Sequence, residues 1–203
     1  MSKIKTVGIV GTGVIGTGWI IRNLAHNKIV HAYDQNKNLK NYVLKEIKRT
    51  SKSIKKLFGK KILIKNLKFF NSLEKALSNV DFVQESVLED LELKKSVFEQ
   101  LDKLSPENTI IASSSSYLLI SKISELVKHK YRCINAHPAL PPHIVPFVEV
   151  AGGVNTDPKI IKQAVSIYKK AKYAAITVNK AVSYTHLRAH ETKANLVCRL
   201  LLE

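Results

Sequence analysis

Three glycines near the start of the chain have the spacing of a turn that holds a dinucleotide. Gly11, Gly13 and Gly16 lie between a short apolar stretch, 6–10, and an apolar run with helical spacing. In such a turn the first glycine allows a tight bend, the second lets the backbone approach a pyrophosphate, and the third lets helix and strand pack closely. The pyrophosphate would then lie on the N–H groups at the positive end of the helix.

An aspartate completes the motif. A second apolar stretch, 28–33, ends at Asp34, and an acidic residue about 20 positions beyond the glycines accepts hydrogen bonds from a ribose 2′-hydroxyl. The same carboxylate would repel the 2′-phosphate of NADP. The sequence therefore predicts NAD as the cofactor, bound through Asp34 and the backbone of Gly11, Gly13, Val14, Ile15 and Gly16.

A histidine and a glutamate form the second group with chemical potential. His137 lies where a predicted strand gives way to a proline-rich loop, and Glu149 lies on the next predicted strand. A carboxylate on one imidazole nitrogen fixes the tautomer and leaves the other nitrogen to take a proton. The alternative is a histidine that caps a strand end and a glutamate that faces solvent. His143, in the same loop, is expected only to fill a loop position.

Serines and charged residues follow two further predicted strands. The serine run 113–116 follows the fifth strand, and such clusters usually cap helices or satisfy turns. Its place at the ligand-binding edge of the sheet also suits a hydroxyl that donates to a substrate oxygen. Glu85, Glu89 and Lys94 follow the fourth strand, where surface charge pairing explains them as well as a site does.

Alternating apolar and helix-period segments predict an α/β protein with a Rossmann-type, doubly wound and mostly parallel sheet. Residues 1–182 are expected to form one NAD-binding domain. The predicted helices are 14–27, 37–57, 72–78, 90–104, 120–128 and 158–171. The predicted strands are 5–10, 29–34, 67–70, 80–85, 109–113, 131–136, 146–151 and 173–178.

Composition narrows the class of protein. The chain has 203 residues and a net charge of +17, but its lysines are scattered rather than grouped with stacking aromatics, so specific nucleic-acid binding is not expected. Two cysteines far apart give no disulfide framework and fit a reducing compartment. No apolar run is long enough to cross a bilayer. We therefore expect a cytoplasmic protein that does not bind membranes.

The last segment, 183–203, resembles the translation of a sequencing adapter, and we expect it to be an artefact rather than part of the domain. His186, His190 and Glu191 have spacing that would suit zinc. The two histidines have no plausible third ligand, so no metal site is expected.

Together these motifs resemble the NAD-binding domain of the 3-hydroxyacyl-CoA dehydrogenase superfamily over residues 4–182. Within it the chain is most similar to the L-carnitine dehydrogenases, with the lambda-crystallin (L-gulonate 3-dehydrogenase) branch next. The superfamily motifs are the glycine turn, Asp34, the stretch 81–89, the turn 112–116, and His137 with Glu149. The closer match rests on stretches 11–19, 23–26, 82–86, 91–94 and 147–153.

The resemblance implies an NAD-dependent enzyme that oxidises the secondary hydroxyl of a small 3-hydroxy acid. It implies His137 as the general base, Glu149 as its orienting partner and Ser116 as a donor to the substrate oxygen. Glu89 and Lys94 would line the cofactor cleft.

Two departures from the family pattern affect this expectation. Leu140 stands where the family has an asparagine, three residues after the catalytic histidine, so one polarising donor is lost. The family also continues into a helical C-terminal domain that closes the site and forms a homodimer. We expect that domain to be missing here, so the chain would bind NAD with little turnover. The alternatives are a 3-hydroxyacyl-CoA or L-gulonate dehydrogenase, and a dinucleotide-binding protein without catalysis.

Overall fold

The computed structural model describes residues 4–178. Within them the chain alternates between strands and helices, and short 3₁₀ turns at Ile64–Asn66 and Lys130–Arg132 lead into two of the strands. The helices are α1 (Val14–Ala25), α2 (Leu39–Phe58), α3 (Leu73–Leu77), α4 (Leu91–Leu104), α5 (Ile120–Ile123) and α6 (Pro158–Lys170). The strands are β1 (Thr6–Val10), β2 (Ile29–Tyr33), β3 (Leu67–Phe70), β4 (Phe82–Glu85), β5 (Ile110–Ser113), β6 (Cys133–Pro138), β7 (Phe147–Gly152) and β8 (Ala174–Thr177).

The strands form a single eight-stranded sheet in the order β3-β2-β1-β4-β5-β6-β7-β8. The chain winds outward from β1 to β3 and then returns to place β4 on the other side of β1. This reversal is the topological switch point of a doubly wound sheet, where ligands bind at the carboxyl ends of the strands. The predicted Rossmann-type fold is confirmed.

One pair of strands departs from the parallel pattern. β6 and β7 are antiparallel, whereas the other neighbouring pairs are parallel. Only the loop 139–146 joins them, and a parallel connection needs a crossover of a dozen or more residues. The short loop therefore brings the end of β6 directly opposite the start of β7.

Helices cover both faces of the sheet. Ile110 and Ala112 on β5 belong to one buried apolar cluster, with Trp19 of α1, while Ile111 belongs to a second, with Phe98 of α4. Because successive side chains of a strand point to opposite faces, the two clusters lie on opposite sides of the sheet. The glycine turn is thus anchored by packed elements rather than held on a free loop.

The prediction of a helix over residues 120–128 is wrong for the second half of that range. α5 ends at Ile123, and the Ser124 hydroxyl donates to the carbonyl of Ile120 over 2.7 Å. Farther on, the amides of Lys128 and His129 donate to the carboxylate of Asp102. These side chains give the backbone partners that compete with a continued helix.

Among residues 4–178 no helix combines the length and the apolar character that a membrane span requires. The segment 183–203 lies outside the described residues, and with it His186 and His190.

Candidate functional site

The three glycines of the turn differ in the space that surrounds them. Gly11 has φ +86°, and a Cβ there would lie 2.6 Å from the backbone of Ser86. A Cβ on Gly16 would lie 1.9 Å from the carbonyl oxygen of Gly11. A Cβ on Gly13 would meet nothing within 4 Å. Two glycines therefore allow the turn to pack, whereas Gly13 faces open space.

Helix α1 begins at this open space without a capping group of its own. Gly13 is its N-cap residue, and among the described residues no side chain caps it and no acid lies in its first turn. Val14 is 64% exposed. The first N–H groups of a helix have no partner within the helix and carry its positive dipole end. This cradle fits the diphosphate of a dinucleotide.

Asp34 fixes the same turn from the side of β2. Its Oδ2 accepts from the Thr12 amide over 2.6 Å and from the Thr12 hydroxyl over 3.1 Å, and its Oδ1 accepts from the Asn36 amide over 2.9 Å. Each carboxylate oxygen can accept more than one hydrogen bond. The position therefore still suits a ribose hydroxyl, although Asp34 does not line the cavity described next.

A cavity of about 1020 Å³ opens at the carboxyl ends of the strands. It brings together the beginning of α1, the segments after β4 and β5, and the facing ends of β6 and β7. Its lining contains most of the residues predicted from the sequence: Gly13, Val14, Ile15, Glu89, Lys94, Ser116, His137 and Glu149. Dinucleotide and acid–base candidates thus share one space.

His137 and Glu149 are direct cross-strand partners in the antiparallel pair β6–β7. The His137 Nδ1 lies 3.3 Å from the Glu149 Oε2, and their side chains are 23% and 17% exposed. Directly opposite residues on one face of such a pair bring their side chains within contact. The structure therefore brings the predicted pair together, with the imidazole at the cavity wall.

Glu85, at the end of β4, and Lys94 form a buried ion pair rather than a surface pair, and the partly exposed Glu89 lies beside them. Lys94 donates to the Glu85 Oε1 over 2.7 Å, and these side chains are 1% and 0% exposed. Lys94 also lies 3.3 Å from the Glu89 carboxylate. Burial raises the pKa of Glu85, while Lys94 and a hydrogen bond from Ser113 act in the opposite direction. The surface-pairing interpretation is wrong because α4 turns Lys94 inward against the sheet.

Glu89 accepts hydrogen bonds from the serine run 113–116, at the end of β5. Its carboxylate accepts hydrogen bonds from the Ser115 hydroxyl and, over 3.0 Å, from the Ser116 amide. The Ser116 hydroxyl makes no hydrogen bond within residues 4–178, and Ser116 lines the cavity. Tyr117 is 59% exposed and donates to the Glu89 carbonyl over 3.2 Å. Its ring therefore stands at the cavity wall instead of packing into the core.

The loop between β6 and β7 rests on helix α1. A Cβ on Gly18 would lie 2.7 Å from Pro142, and the Tyr173 hydroxyl donates to the Pro142 carbonyl over 2.8 Å. Leu140, in the same loop, is 57% exposed and lines the main cavity. His143 lies in a turn, as expected, and borders a smaller cavity; burial lowers its pKa.

Glu85, Gln84 and Ser114 belong to the site's support and were not predicted as such from the sequence. Gln84 and Glu85 are 1% and 0% exposed at the end of an interior strand. A polar pair at the end of an apolar strand was the signal for them, because a buried polar group needs partners. Among the described residues no group of His, Cys, Asp and Glu could hold a metal ion.

The doubly wound sheet, with its glycine turn at the switch point, defines a dinucleotide-binding domain of the dehydrogenase type. The chain belongs to the 3-hydroxyacyl-CoA dehydrogenase family: residues 6–182 match that family's NAD-binding domain. Members of the family are NAD-dependent dehydrogenases that act on a CH–OH group.

Named relatives agree with this assignment. The chain is 34% identical over 180 residues to an L-carnitine dehydrogenase of Oceanobacillus iheyensis, covering 88% of this chain and 59% of that protein. It is 36% identical over 182 residues to one of Bacillus cereus, covering 89% and 56%. A solved diketoreductase structure superposes with a TM-score of 0.84 at 26% identity, covering 93% of this chain and 70% of that one. The chain thus spans less than two thirds of the length of the two curated relatives.

Proposed function

We propose that this protein is an NAD(H)-dependent dehydrogenase that oxidises the secondary hydroxyl of a 3-hydroxy acid to a ketone, with L-carnitine as the favoured substrate. One observation carries the proposal: the beginning of α1 and the His137–Glu149 pair line the same cavity. A base and a dinucleotide cradle in one space meet the requirement that reacting groups be held in contact.

His137 acts as the general base. Glu149, on its Nδ1 side, keeps the proton on that nitrogen and stabilises the imidazolium, so Nε2 takes the hydroxyl proton. Ser116 donates to the substrate oxygen and so aligns the hydroxyl with the imidazole. A positioned base of this kind contributes about 10²–10⁴ to the rate.

The NAD site is built from the glycine turn and from residues after β2 and β4. The amides of Val14, Ile15 and Gly16 would hold the diphosphate, and Asp34 would accept a hydrogen bond from a ribose hydroxyl. Glu89 and Lys94 border the cleft from the other side. Bound NAD would supply the acceptor for the hydride that leaves the carbinol carbon when His137 takes the hydroxyl proton.

The relatives that carry the name L-carnitine dehydrogenase support carnitine as the substrate. A quaternary ammonium binds to aromatic faces, and Tyr117 offers one at the cavity wall. Oxidation of a 3-hydroxyacyl-CoA or of L-gulonate is the second candidate. The exposed apolar side chain of Leu140, where the family has an asparagine, favours a third: a dinucleotide-binding protein without catalysis.

Titration of the chain with NAD, followed by calorimetry, tests the cofactor. Assays of the whole protein with L-carnitine, L-gulonate and 3-hydroxybutyryl-CoA test the substrate. His137→Ala abolishes turnover and leaves NAD affinity nearly intact, whereas the matched variant of the loop histidine, His143→Ala, keeps both. Loss of NAD affinity in His137→Ala would count against a role in proton transfer.

The proposal places the enzyme in the cytoplasm. The supporting observation is Cys133, a buried cysteine that forms no disulfide within residues 4–178, as suits a reducing compartment.

A further inference from the structure

A chain of hydrogen bonds runs from the core beneath the sheet to the main cavity. Tyr168 of α6 donates to the Gln84 Oε1 over 2.6 Å, and the Gln84 Nε2 donates to the Ser114 Oγ over 2.9 Å. The Ser114 Oγ lies 2.8 Å from the Ser86 Oγ. Tyr168, Gln84 and Ser114 are buried, whereas Ser86 is half-buried and lines the cavity.

Tyr168, at the buried end of this series of hydrogen bonds, determines the direction of the first bond. A tyrosine hydroxyl has one proton, and within residues 4–178 the Gln84 carbonyl is the acceptor for that of Tyr168. The flipped amide would leave the buried Tyr168 proton without an acceptor, and a buried donor without a partner is unfavourable. Gln84 therefore directs its NH₂ group toward Ser114.

Ser114 then has a single way to satisfy its neighbours. The Trp19 indole N–H, which can only donate, reaches the Ser114 Oγ over 3.1 Å. With Trp19 and Gln84 both donating, the two lone pairs of the Ser114 oxygen are used. Its own proton goes to the oxygen of Ser86.

Ser86 is left with a proton of its own to give. Its oxygen accepts from Ser114, and no acceptor among the described residues takes the Ser86 proton. The backbone of Ser86 lies against the glycine turn, 2.6 Å from where a Cβ of Gly11 would stand. The Ser86 side chain and the first residues of α1 line the same cavity.

We propose that Ser86 is a binding residue that donates a hydrogen bond to the diphosphate portion of the dinucleotide, with Ser114 and Gln84 holding it in the donor state. This inference rests on the proposed NAD-dependent function. A diphosphate oxygen accepts hydrogen bonds and does not donate them. The direction of the hydrogen bonds from Tyr168 to Ser86 leaves Ser86 as a donor, which is what such an oxygen requires. The bond would add to those from the amides at the beginning of α1.

Titration of the 203-residue chain with NAD and with ADP-ribose, which has the same diphosphate but lacks the nicotinamide, tests the proposal. Ser86→Ala lowers the affinity for NAD and for ADP-ribose by the same factor, about tenfold or more, because a hydrogen bond to a charged group is lost. Ser86→Thr keeps a hydroxyl and restores most of the affinity. Ser124→Ala removes a buried hydroxyl away from the cavity and leaves both affinities unchanged.

Three results would overturn the proposal: unchanged affinity in Ser86→Ala, a loss confined to NAD, or equal losses in Ser86→Ala and Ser86→Thr. Failure of the unaltered chain to bind either ligand is a different outcome, because it rejects the proposed function itself. Tyr168→Phe adds an independent measurement. It frees the Gln84 amide to turn and lowers both affinities, with a smaller factor than Ser86→Ala.

Discussion

Lys94 and Glu85 form an ion pair from which solvent is excluded: the Lys94 Nζ lies 2.7 Å from the Glu85 Oε1, and neither side chain is more than 1% exposed. The Glu85 carboxylate also accepts from the Ser113 hydroxyl over 2.6 Å and from the Val87 amide over 2.6 Å. One carboxylate thus connects the ends of β4 and β5 with the start of the segment before α4, and that segment lines the cavity.

Removing one partner of this pair is expected to be costly. Lys94→Met leaves the Glu85 carboxylate buried without its cation, and such losses lower the free energy of unfolding by about 3–5 kcal/mol. The double variant Glu85→Gln/Lys94→Met recovers much of this loss because no charge remains buried. Urea denaturation measures both, and Lys103→Met, which breaks an exposed ion pair with Glu99, is the control with little effect.

The stability of the Lys94→Met variant is expected to depend on pH. Burial raises the pKa of Glu85, and without Lys94 nothing comparable opposes that rise. The folded Lys94→Met variant then binds a proton that the unfolded chain has released, so its stability falls as pH rises above the unfolded pKa. Denaturation at pH 5 and pH 8 therefore shows a smaller deficit at pH 5. An equal deficit at the two values would show that Glu85 does not titrate.

Two glycine variants should separate folding from cofactor binding. Gly16→Ala forces a Cβ to within 1.9 Å of a backbone oxygen, and we expect it to lower the free energy of unfolding by about 3 kcal/mol or more. Gly13 has φ −63°, which alanine adopts readily, and open space beside it. Gly13→Ala therefore keeps the melting temperature but loses NAD affinity, because its methyl group occupies the diphosphate cradle. Thermal denaturation with and without NAD distinguishes the two variants. Full NAD affinity in Gly13→Ala would show that the diphosphate does not bind at this turn.

His26 makes stability depend on pH. Burial, and then the neighbouring positive charges of Arg22 and several lysines, lower its pKa from 6.5 to about 4. Between these values the unfolded chain binds more protons than the folded one, so the free energy of unfolding falls as pH drops from about 7 to about 4. We expect His26→Gln to remove about 1–2 kcal/mol of this loss, since the ring is only partly buried and solvent screens the charges.

The comparison between the unaltered chain and His26→Gln is the relevant measurement, because burial also lowers the pKa values of His31 and His143. Urea denaturation at several pH values between 4 and 7 gives the difference. Parallel curves for the two proteins would show that His26 titrates alike in the folded and unfolded states.

Leu140 provides a test of the missing donor. It is exposed at the cavity wall, and one preorganised donor at a developing charge contributes about 2.7–4 kcal/mol. Leu140→Asn in the whole protein should raise kcat, by up to about a thousandfold, with NAD affinity unchanged. Leu140→Ala gives no gain and serves as the control. Unchanged kinetics in Leu140→Asn would show that another group already compensates.

The features predicted well from the sequence are those determined locally. The glycine turn, the strands around it and the helix start at Asp90, whose carboxylate accepts from the Leu93 amide, depend on neighbours within a few residues. The approach of His137 to Glu149 was also predictable, since the short loop between their strands leaves little choice of pairing.

What the sequence did not show depends on residues far apart in the chain. The inward turn of Lys94 and the convergence of Trp19, Gln84 and Ser86 on Ser114 exist only after the sheet has formed. Helix α5 was predicted too long because the competing partner, Asp102, is supplied by α4. Apolar periodicity records which side of an element is buried, but not which polar groups meet there.

The contact between Gly18 and Pro142 couples two parts of the site that the chain order separates. Any larger side chain at position 18 would push the proline-rich loop outward, and with it the neighbourhood of the imidazole. If the proposed function holds, cofactor binding and proton removal depend on the same packing contact, so a substitution that improves one property is constrained by the other.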